Sequence, residues 1–229
     1  NFVASANCAR YCNSDIDFVD INLHNGLMDI EKLSNKLKKA RTDNRLPKIV
    51  IPVHFAGQSC DMKAIKKLSD KYGFHIIEDA SHAIGGKYLD QPIGSCNFSD
   101  VAVFSFHPVK IITSAEGGIA TTRNTEIAKK MLMLRTHGIT RNENQMTRES
   151  DGDWYYEQLD LGYNFRMNDL QAALGISQFN KLEKIVSRRH YLAERYDNLL
   201  SDFPIKLPFQ NPNSFSSYHL YPILLNDVN

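Results

Sequence analysis

The sequence lacks the long apolar segment of a membrane helix, because no run in its 229 residues approaches about 20 apolar residues. The opening residues also lack the charged and apolar regions of a signal peptide. Neither sign of charge dominates, since 27 Lys and Arg stand against 26 Asp and Glu. This balance excludes a general attraction to nucleic acid or to an anionic membrane. We therefore predict a cytoplasmic protein whose partners include neither nucleic acid nor membrane.

Cysteine and glycine patterns are equally sparse. The four cysteines, Cys8, Cys12, Cys60 and Cys96, form no C-x-x-C pair and lie near no histidine cluster. We therefore predict reduced, structural thiols rather than disulfides or a metal site. No G-x-G-x-x-G run follows an early strand, and its absence argues against a Rossmann-type nucleotide-binding module.

The sequence does contain enough apolar material for a sizeable core. At 42% hydrophobic residues, it fits one large domain or one domain plus part of another. We interpret the opening stretch NFVASANC as lying inside a strand, and the last stretch, SSYHLYPILLNDVN, as stopping just after an apolar alternation that opens a new sheet. We therefore expect a fragment that lacks both ends.

Short apolar runs alternate with amphipathic stretches along the chain. We predict strands over 48–55, 74–80, 101–106 and 117–122, and helices over 61–73, 124–138 and 168–201, the last broken near Gly175. Asp61 is the predicted N-cap of the first helix and Gly73 its stop, while the polar residues 140–160 are predicted to form an extended loop. The alternation favours an α/β fold with a mostly parallel sheet sandwiched by helices.

Ligands of parallel sheets bind beyond the carboxyl ends of the strands, so the residues that follow each strand are candidates for a site. In HFAGQSCDM, His54 and Gln58 flank a glycine, and we favour a simple turn that leads to a helix cap. In IIEDASHAIGG, Asp79 precedes His82 by three residues. A carboxylate at the end of an apolar strand needs a partner. Asp79 and His82 could form a helix cap or bind a cationic ring nitrogen, and the sequence does not decide between these two roles.

A lysine follows the next strand, and packing of the core does not require a charged side chain there. Lys110 lies four residues past VAVFSF, and partial desolvation there would lower the pKa of its amine and make it a nucleophile. Ser105, five residues earlier, suits donation to a phosphate, and a Glu-Gly-Gly turn returns the chain to the sheet. A lone lysine after a strand is more often a solvated residue. Asn164 and Arg166, read alone, are ordinary polar residues before a helix whose predicted N-cap is Asn168.

Three stretches carry a family resemblance: IIEDASHAIGG, FSFHPVKIITSAEGG and DLGYNFRMNDLQAALGISQFNKLEKIVSRRHYLAERY. They resemble the DegT/StrS-type sugar-nucleotide aminotransferases, pyridoxal-phosphate enzymes of the aspartate-aminotransferase fold. Two features are most similar to the branch that makes the 4-amino precursor of pseudaminic acid. They are the motif HPVK and Ala115, a position at which the majority of members carry glycine. The resemblance implies a fold type I large domain over 1–203. It also implies a connector and the start of a small C-terminal α+β domain over 204–229.

The resemblance implies a role for each candidate residue. Lys110 would hold pyridoxal 5′-phosphate covalently and carry the proton between the substrate carbon and the cofactor. Asp79 would pair with the cofactor's ring nitrogen, and His82 would face its ring oxygen. Ser105 would bind its phosphate, and Phe2 would stack on its ring.

The resemblance also implies an assembly and a reaction. Asn164 would reach across a dimer interface to the neighbouring subunit's cofactor phosphate, which predicts a homodimer. The implied reaction moves an amino group from glutamate to C4 of a UDP-linked 4-keto-6-deoxy-HexNAc, in the biosynthesis of cell-surface glycans. The alternatives are a pyridoxal-phosphate sugar dehydratase, although such relatives carry histidine at the position of Lys110, and a non-catalytic regulatory relative. The family's Gly-Ser/Thr phosphate loop, which precedes the first stretch, is not in this chain.

Overall fold

The computed structural model describes residues 2–225. Its α-helices are α1 (Val3–Tyr11), α2 (Ile30–Thr42), α3 (Met62–Tyr72), α4 (Thr125–Leu134), α5 (Asp169–Phe179) and α6 (Leu182–Leu200). Its strands are β1 (Ile49–Val50), β2 (His75–Asp79), β3 (Lys87–Tyr88), β4 (Gln91–Pro92), β5 (Val101–Ser105), β6 (Gly118–Thr121), β7 (Ile139–Thr140), β8 (Glu157–Gln158), β9 (Ile205–Lys206), β10 (Ser214–Phe215) and β11 (Leu224–Leu225). Within these residues, no helix combines the length and the hydropathy needed to cross a bilayer.

A four-stranded sheet forms the centre of the fold, in the order β1-β2-β5-β6. Strands β1 and β5 run parallel to β2 on either side of it, and β6 pairs antiparallel with β5. The prediction of an α/β fold with a mostly parallel sheet is confirmed. Because β2 and β5 are parallel, their carboxyl ends meet at the same edge of the sheet, which is where ligands of such sheets bind.

Helices cover the sheet and anchor the loop that follows β5. Ile65 of α3 and Ile76 of β2 belong to one buried cluster. Val186 of α6 packs in another cluster with Ile111 and Ile112, which directly follow Lys110 in the chain. These two isoleucines are almost completely buried. They therefore fix the loop that carries Lys110 against α6.

The predicted helix caps are present. The carboxylate of Asp61 accepts the N–H of Ala64 at the start of α3, and Gly73, with φ of 79°, ends that helix in the left-handed conformation. Asn168 begins α5 in a reciprocal capping box with Gln171. These local signals determine where the segments around the sheet start and stop.

The opening stretch is a helix, so the prediction of a strand there is wrong. Helix α1 covers Val3–Tyr11. Its alanines, Ala4, Ala6 and Ala9, favour helix. Phe2 lies at its N-cap.

Two predicted helix boundaries are also wrong. The long helix continues through Gly175 and is interrupted instead at residues 180–181, between α5 and α6. A Cβ added at Gly175 would lie 3.5 Å from the Cβ of Ser114, an ordinary van der Waals contact, so the packing of α5 does not require a glycine at this position. Helix α4 ends at Leu134 rather than at Gly138. The N–H of Tyr163 donates to the carbonyl of Leu134, the last residue of the helix, at 2.7 Å.

Two long segments are less regular or more ordered than the sequence predicts. The strand predicted over 48–55 is regular only in β1, because Pro52 has no N–H with which to continue the ladder. Pairing with β2 resumes as a single bridge between Val53 and Asp79. The loop predicted over 140–160 contains paired ends, since β7 and β8 form an antiparallel pair.

Candidate active site

Asp79 ends β2 at the edge of the sheet where a ligand is expected. Its carboxylate accepts the hydroxyl of Ser5 at 2.6 Å and the backbone N–H of Ser81 at 3.1 Å. Burial alone would raise the pKa of this carboxyl group, but the two hydrogen bonds lower the pKa below its ordinary value. Asp79 is therefore a half-buried carboxylate that stays ionised at neutral pH.

Lys110 lies in the loop that follows β5, close enough to Asp79 to interact with it electrostatically. Its backbone N–H donates to the carbonyl of His107 at 2.9 Å. Burial lowers the pKa of the Lys110 amine, and the negative charge of Asp79 opposes this shift only in part. A larger fraction of the amine is therefore neutral and nucleophilic than in a solvated lysine.

Two neighbouring histidines, with ring planes tilted by 36°, complete this group. The ring centroids of His82 and His219 lie 4.3 Å apart. Burial and the charge of Lys110 lower the pKa of His82, while Asp79 raises it. Burial, together with His82, Lys110 and Arg189, lowers the pKa of His219 to about 4. Both rings are therefore neutral at pH 7. Among residues 2–225, the Nδ1 atoms of His82 and His219 are buried without a hydrogen-bond partner, as expected where a polar ligand completes a site.

The stretch HFAGQ positions His219, which the sequence alone does not predict. The N–H of Ser217 donates to the carbonyl of Gly57 at 3.1 Å. A Cβ at Gly57 would meet Ser217 Oγ and the backbone nitrogen of Tyr218 at 2.8 Å, so this close approach requires a glycine. The hydroxyl of Ser217 also donates to the carbonyl of His82 at 3.0 Å. The turn that we interpreted as local therefore docks the connector that carries His219.

Ser105 and Phe2, the two other residues predicted to bind the cofactor, belong to different elements. Ser105 ends β5, and its Oγ accepts the N–H of His107 at 3.4 Å. Phe2 is the N-cap of α1 and has a 73% exposed side chain. The first turn of α1 brings Ser5 to Asp79. Ser5 was not among the residues predicted from the sequence, because the prediction of a strand obscured its place one turn after Phe2.

Asn164 lies in an exposed segment and makes no hydrogen bond to Asp79, Ser105 or Lys110 within the described chain. Its Oδ1 accepts the Nε–H of Arg166 at 2.6 Å. The oxygen is therefore occupied, and the Nδ2 hydrogens are the groups that an anion would meet.

A tight crossing of two backbones fixes the segment that leads to Asn164. At Gly138 an added Cβ would lie 1.9 Å from the carbonyl oxygen of Asp160. Its φ of 70° is also in the left-handed region. Only a glycine satisfies both conditions.

We expect Gly138→Ala to lower the free energy of unfolding by at least about 2 kcal/mol, because the new methyl group displaces the backbone of Asp160 as well as straining its own. Gly73→Ala is the matched control. Its φ is 79° and nothing lies within 4 Å of the added Cβ, so only the left-handed strain of about 1–2 kcal/mol remains. Urea unfolding of both variants measures the difference. Equal losses would show that the crossing at Gly138 is not tight.

This arrangement fits a cofactor with a basic ring nitrogen and an aldehyde. Asp79 supplies a fixed negative charge for the nitrogen, and Lys110 supplies an amine with a lowered pKa for the aldehyde. The unpaired nitrogen of His82 leaves a polar group for a ring substituent. Pyridoxal phosphate combines these features.

The fold is that of sugar aminotransferase structures. Helicobacter pylori PseC, an aminotransferase involved in the biosynthesis of pseudoaminic acid, superposes with a TM-score of 0.87 at 32% identity, over 99% of this chain and 56% of that one. A putative sugar aminotransferase from Streptococcus pneumoniae, solved in a PLP form, superposes with a TM-score of 0.81 at 26% identity, over 99% of this chain and 58% of that one.

The chain belongs to the DegT/DnrJ/EryC1/StrS aminotransferase family, whose family model matches residues 1–229. A UDP-4-amino-4,6-dideoxy-N-acetyl-beta-L-altrosamine transaminase of Campylobacter jejuni is 37% identical over 230 residues, which cover 98% of this chain and 56% of that protein. The chain thus spans about half the length of the curated relatives that it matches. The family resemblance seen in the sequence is confirmed.

Proposed function

We propose that this chain is the cofactor-binding part of a pyridoxal-phosphate aminotransferase. The enzyme would move an amino group from glutamate to the keto carbon of a nucleotide-linked deoxysugar. The observation that carries the proposal is the convergence of Asp79, His82 and Lys110 at the carboxyl edge of β2 and β5, with the amine pKa of Lys110 lowered. The altrosamine transaminase of C. jejuni and H. pylori PseC support C4 of a UDP-linked 4-keto-6-deoxy-HexNAc as the acceptor.

The residues divide the work of the reaction. When bound, pyridoxal phosphate supplies an electron sink for the carbon that loses its proton. Lys110 would anchor the cofactor through Nζ. Once the incoming amino group has displaced it, the free amine of Lys110 would take the proton from that carbon and return it. Asp79 would keep the ring nitrogen protonated, because its carboxylate is ionised and already held by two hydrogen bonds. Ser105 would donate to the phosphate, and Phe2 would cover the ring face.

His82 would contact the ring oxygen as a neutral imidazole. Burial and Lys110 both disfavour its charged form, so the ring would donate or accept a hydrogen bond without adding a positive charge beside the amine.

The domain division, 1–203 for the large domain and 204–229 for the connector and the start of the second domain, remains part of this proposal. The connector docks on the large domain through Gly57 and Ser217.

Product identity tests the proposed reaction. The longest natural form of the chain, loaded with pyridoxal phosphate, is given glutamate and a panel of 4-keto and 3-keto nucleotide sugars. We expect a 4-amino sugar nucleotide and an equivalent amount of 2-oxoglutarate. A 3-amino product would overturn the proposed position, and a dehydrated sugar without 2-oxoglutarate would favour the dehydratase. A loaded protein that converts no member of the panel would favour the regulatory relative.

We also propose a homodimer in which Asn164 of the partner subunit donates to the cofactor phosphate beside Ser105. Two observations support this assignment. Asn164 is exposed, and its amide oxygen is already used by Arg166, which leaves the donor hydrogens for an anion. A two-fold dimer makes each such contact twice.

Hybrid dimers test the shared site. Lys110→Ala and Asn164→Asp are each expected to be nearly inactive, the second because an aspartate opposes the phosphate charge. Co-expressed with different tags, the two should form hybrids with about half of the wild-type activity, since one site of each hybrid receives both native residues. Circular dichroism must first show that Asn164→Asp is folded. Hybrids no more active than the parents would assign Asn164 to its own subunit.

A further inference from the structure

A buried polar unit lies directly behind Asp79. Glu78 precedes Asp79 on β2, so its side chain points to the opposite face of the sheet. There its carboxylate is 2.7 Å from Nε2 of His54 and accepts the hydroxyl of Ser99. Glu78 is 5% exposed and His54 is completely buried. Neither residue has a part in the chemistry described above.

Hydrogen bonding defines which atom of His54 carries the proton. The backbone N–H of Cys60 donates to Nδ1 of His54 at 3.2 Å, so Nδ1 is an acceptor and the hydrogen lies on Nε2. His54 is therefore the donor to Glu78. Burial alone would raise the pKa of the Glu78 carboxyl group, but the hydrogen bonds from His54 and Ser99 lower it below the ordinary value. Glu78 is therefore a buried carboxylate that accepts hydrogen bonds from both His54 and Ser99.

Glu78 joins β2 to both of its neighbours. His54 belongs to the segment that continues β1, and Ser99 belongs to the segment that enters β5. A buried carboxylate with two donors holds such segments more firmly than a neutral hydrogen bond does. The unit therefore ties three adjacent chain segments together just behind the carboxyl edge of the sheet.

The hydrogen bond from Glu78 to His54 holds the segment after β1, and it has the larger expected effect because β1 is weakly paired with β2. Strand β1 has only two residues, and Pro52 interrupts its ladder. From Pro52 onward the backbone pairs with β2 at Asp79: the Asp79 N–H donates to the Pro52 carbonyl at 2.9 Å, and the His54 N–H donates to the Asp79 carbonyl at 3.1 Å. The hydrogen bond between the His54 and Glu78 side chains adds a further link between this segment and β2.

We propose that His54 and Glu78 are positioning residues whose buried hydrogen bond fixes the backbone of Asp79, and so holds its carboxylate against the cofactor's ring nitrogen. This inference rests on the proposed function, because it assumes that Asp79 meets that nitrogen. The side chains of His54 and Glu78 themselves touch neither cofactor nor substrate.

The cofactor chromophore reports the position of Asp79 independently of activity. A well-placed carboxylate keeps the ring nitrogen protonated, and that positive charge lowers the apparent pKa of the nitrogen that Lys110 contributes to the chromophore. If Asp79 moves away, the apparent pKa of the visible absorbance rises. Among residues 2–225, the titratable groups that interact with the Asp79 carboxylate are Lys110 and His82, and His82 and Arg189 in turn interact with His219.

Four variants of the longest natural form, loaded with pyridoxal phosphate, make the test. Glu78→Gln removes the charge, and Ser99→Ala removes one donor. The double variant His54→Phe/Glu78→Met replaces both partners with apolar side chains of similar size, which keeps the core folded without the tie. Tyr88→Phe is the matched control, because it removes the hydrogen bond of another buried side chain, the one to Asp61 at 2.7 Å, and leaves His54, Glu78 and Ser99 unchanged.

We expect the apparent pKa of the chromophore to rise by about one unit in the double variant, by less in Glu78→Gln and by least in Ser99→Ala, with no change in Tyr88→Phe. Thermal unfolding of the apo-proteins checks that each variant folds. An unchanged pKa in the double variant, or an equal rise in Tyr88→Phe, would overturn the inference. Asp79→Asn is the reference: if it too leaves the pKa unchanged, the error lies in the proposed function.

Discussion

Replacing Lys110 with alanine is expected to reduce turnover by at least about 10²–10⁴-fold, the range of a lost general acid–base group. The substitution removes both the amine that anchors the cofactor and the group that carries the proton. The fold should persist, because the buried anchors of this loop are the neighbouring residues Ile111 and Ile112. Steady-state kinetics and thermal unfolding measure the two effects separately.

Lys66→Ala is a suitable control for this experiment. Lys66 forms an exposed ion pair with Asp70 on α3, and such pairs contribute little to stability. We expect it to retain wild-type turnover. Wild-type turnover in Lys110→Ala would contradict the assignment of Lys110 as anchor and proton carrier.

Asp79→Asn should lower turnover by about 10²–10³-fold, as expected when one group that stabilises developing charge is lost. Asparagine has nearly the size of aspartate. Its Oδ1 can still accept the N–H of Ser81, and its Nδ2 can donate to the hydroxyl of Ser5, so the site should keep its shape. What it lacks is the negative charge that holds the ring nitrogen protonated. Cofactor absorbance after dialysis measures binding, and steady-state kinetics measures turnover.

Ser5→Ala is the companion variant for Asp79→Asn. It removes one hydrogen bond to the carboxylate but keeps the charge, so we expect a smaller loss of turnover. If Asp79→Asn retains full turnover with cofactor bound, Asp79 is only a structural acceptor for Ser5 and Ser81, and the proposed orientation of the ring is wrong.

Local signals explain why much of the fold could be predicted. The caps at Asp61, Gly73 and Asn168 depend on neighbours within a few residues, and all three are present. The alternation of apolar strands with amphipathic helices likewise predicts the parallel sheet. The opening helix was missed because its alanine content was outweighed by the bulky residues at its start.

Long-range pairing explains what could not be predicted. The sequence shows that a buried carboxylate near the end of β2 needs a partner, but the partner of Glu78 is His54, 24 residues away. His219 packs against His82 where the connector docks on Gly57. Such pairs depend on the tertiary fold, which no local pattern contains.

Backbone conformation accounts for one unusual residue in the sequence. Ala115, where the resemblance leads us to expect glycine, has φ of 67°. A left-handed conformation favours glycine, so its usual presence at this turn has a physical basis. The Thr113 hydroxyl accepts the N–H of Ala115 at 2.9 Å, which supports the turn despite the strain.

Covalent trapping of the cofactor tests the central claim most directly. The longest natural form of the chain is loaded with pyridoxal phosphate and treated with borohydride, which fixes a lysine-bound pyridoxal group as a stable secondary amine. Peptide mass spectrometry then identifies the modified lysine. We expect the phosphopyridoxyl group on Lys110, and its loss in Lys110→Ala. Modification of a different lysine, or none in a protein that binds the cofactor, would contradict the account.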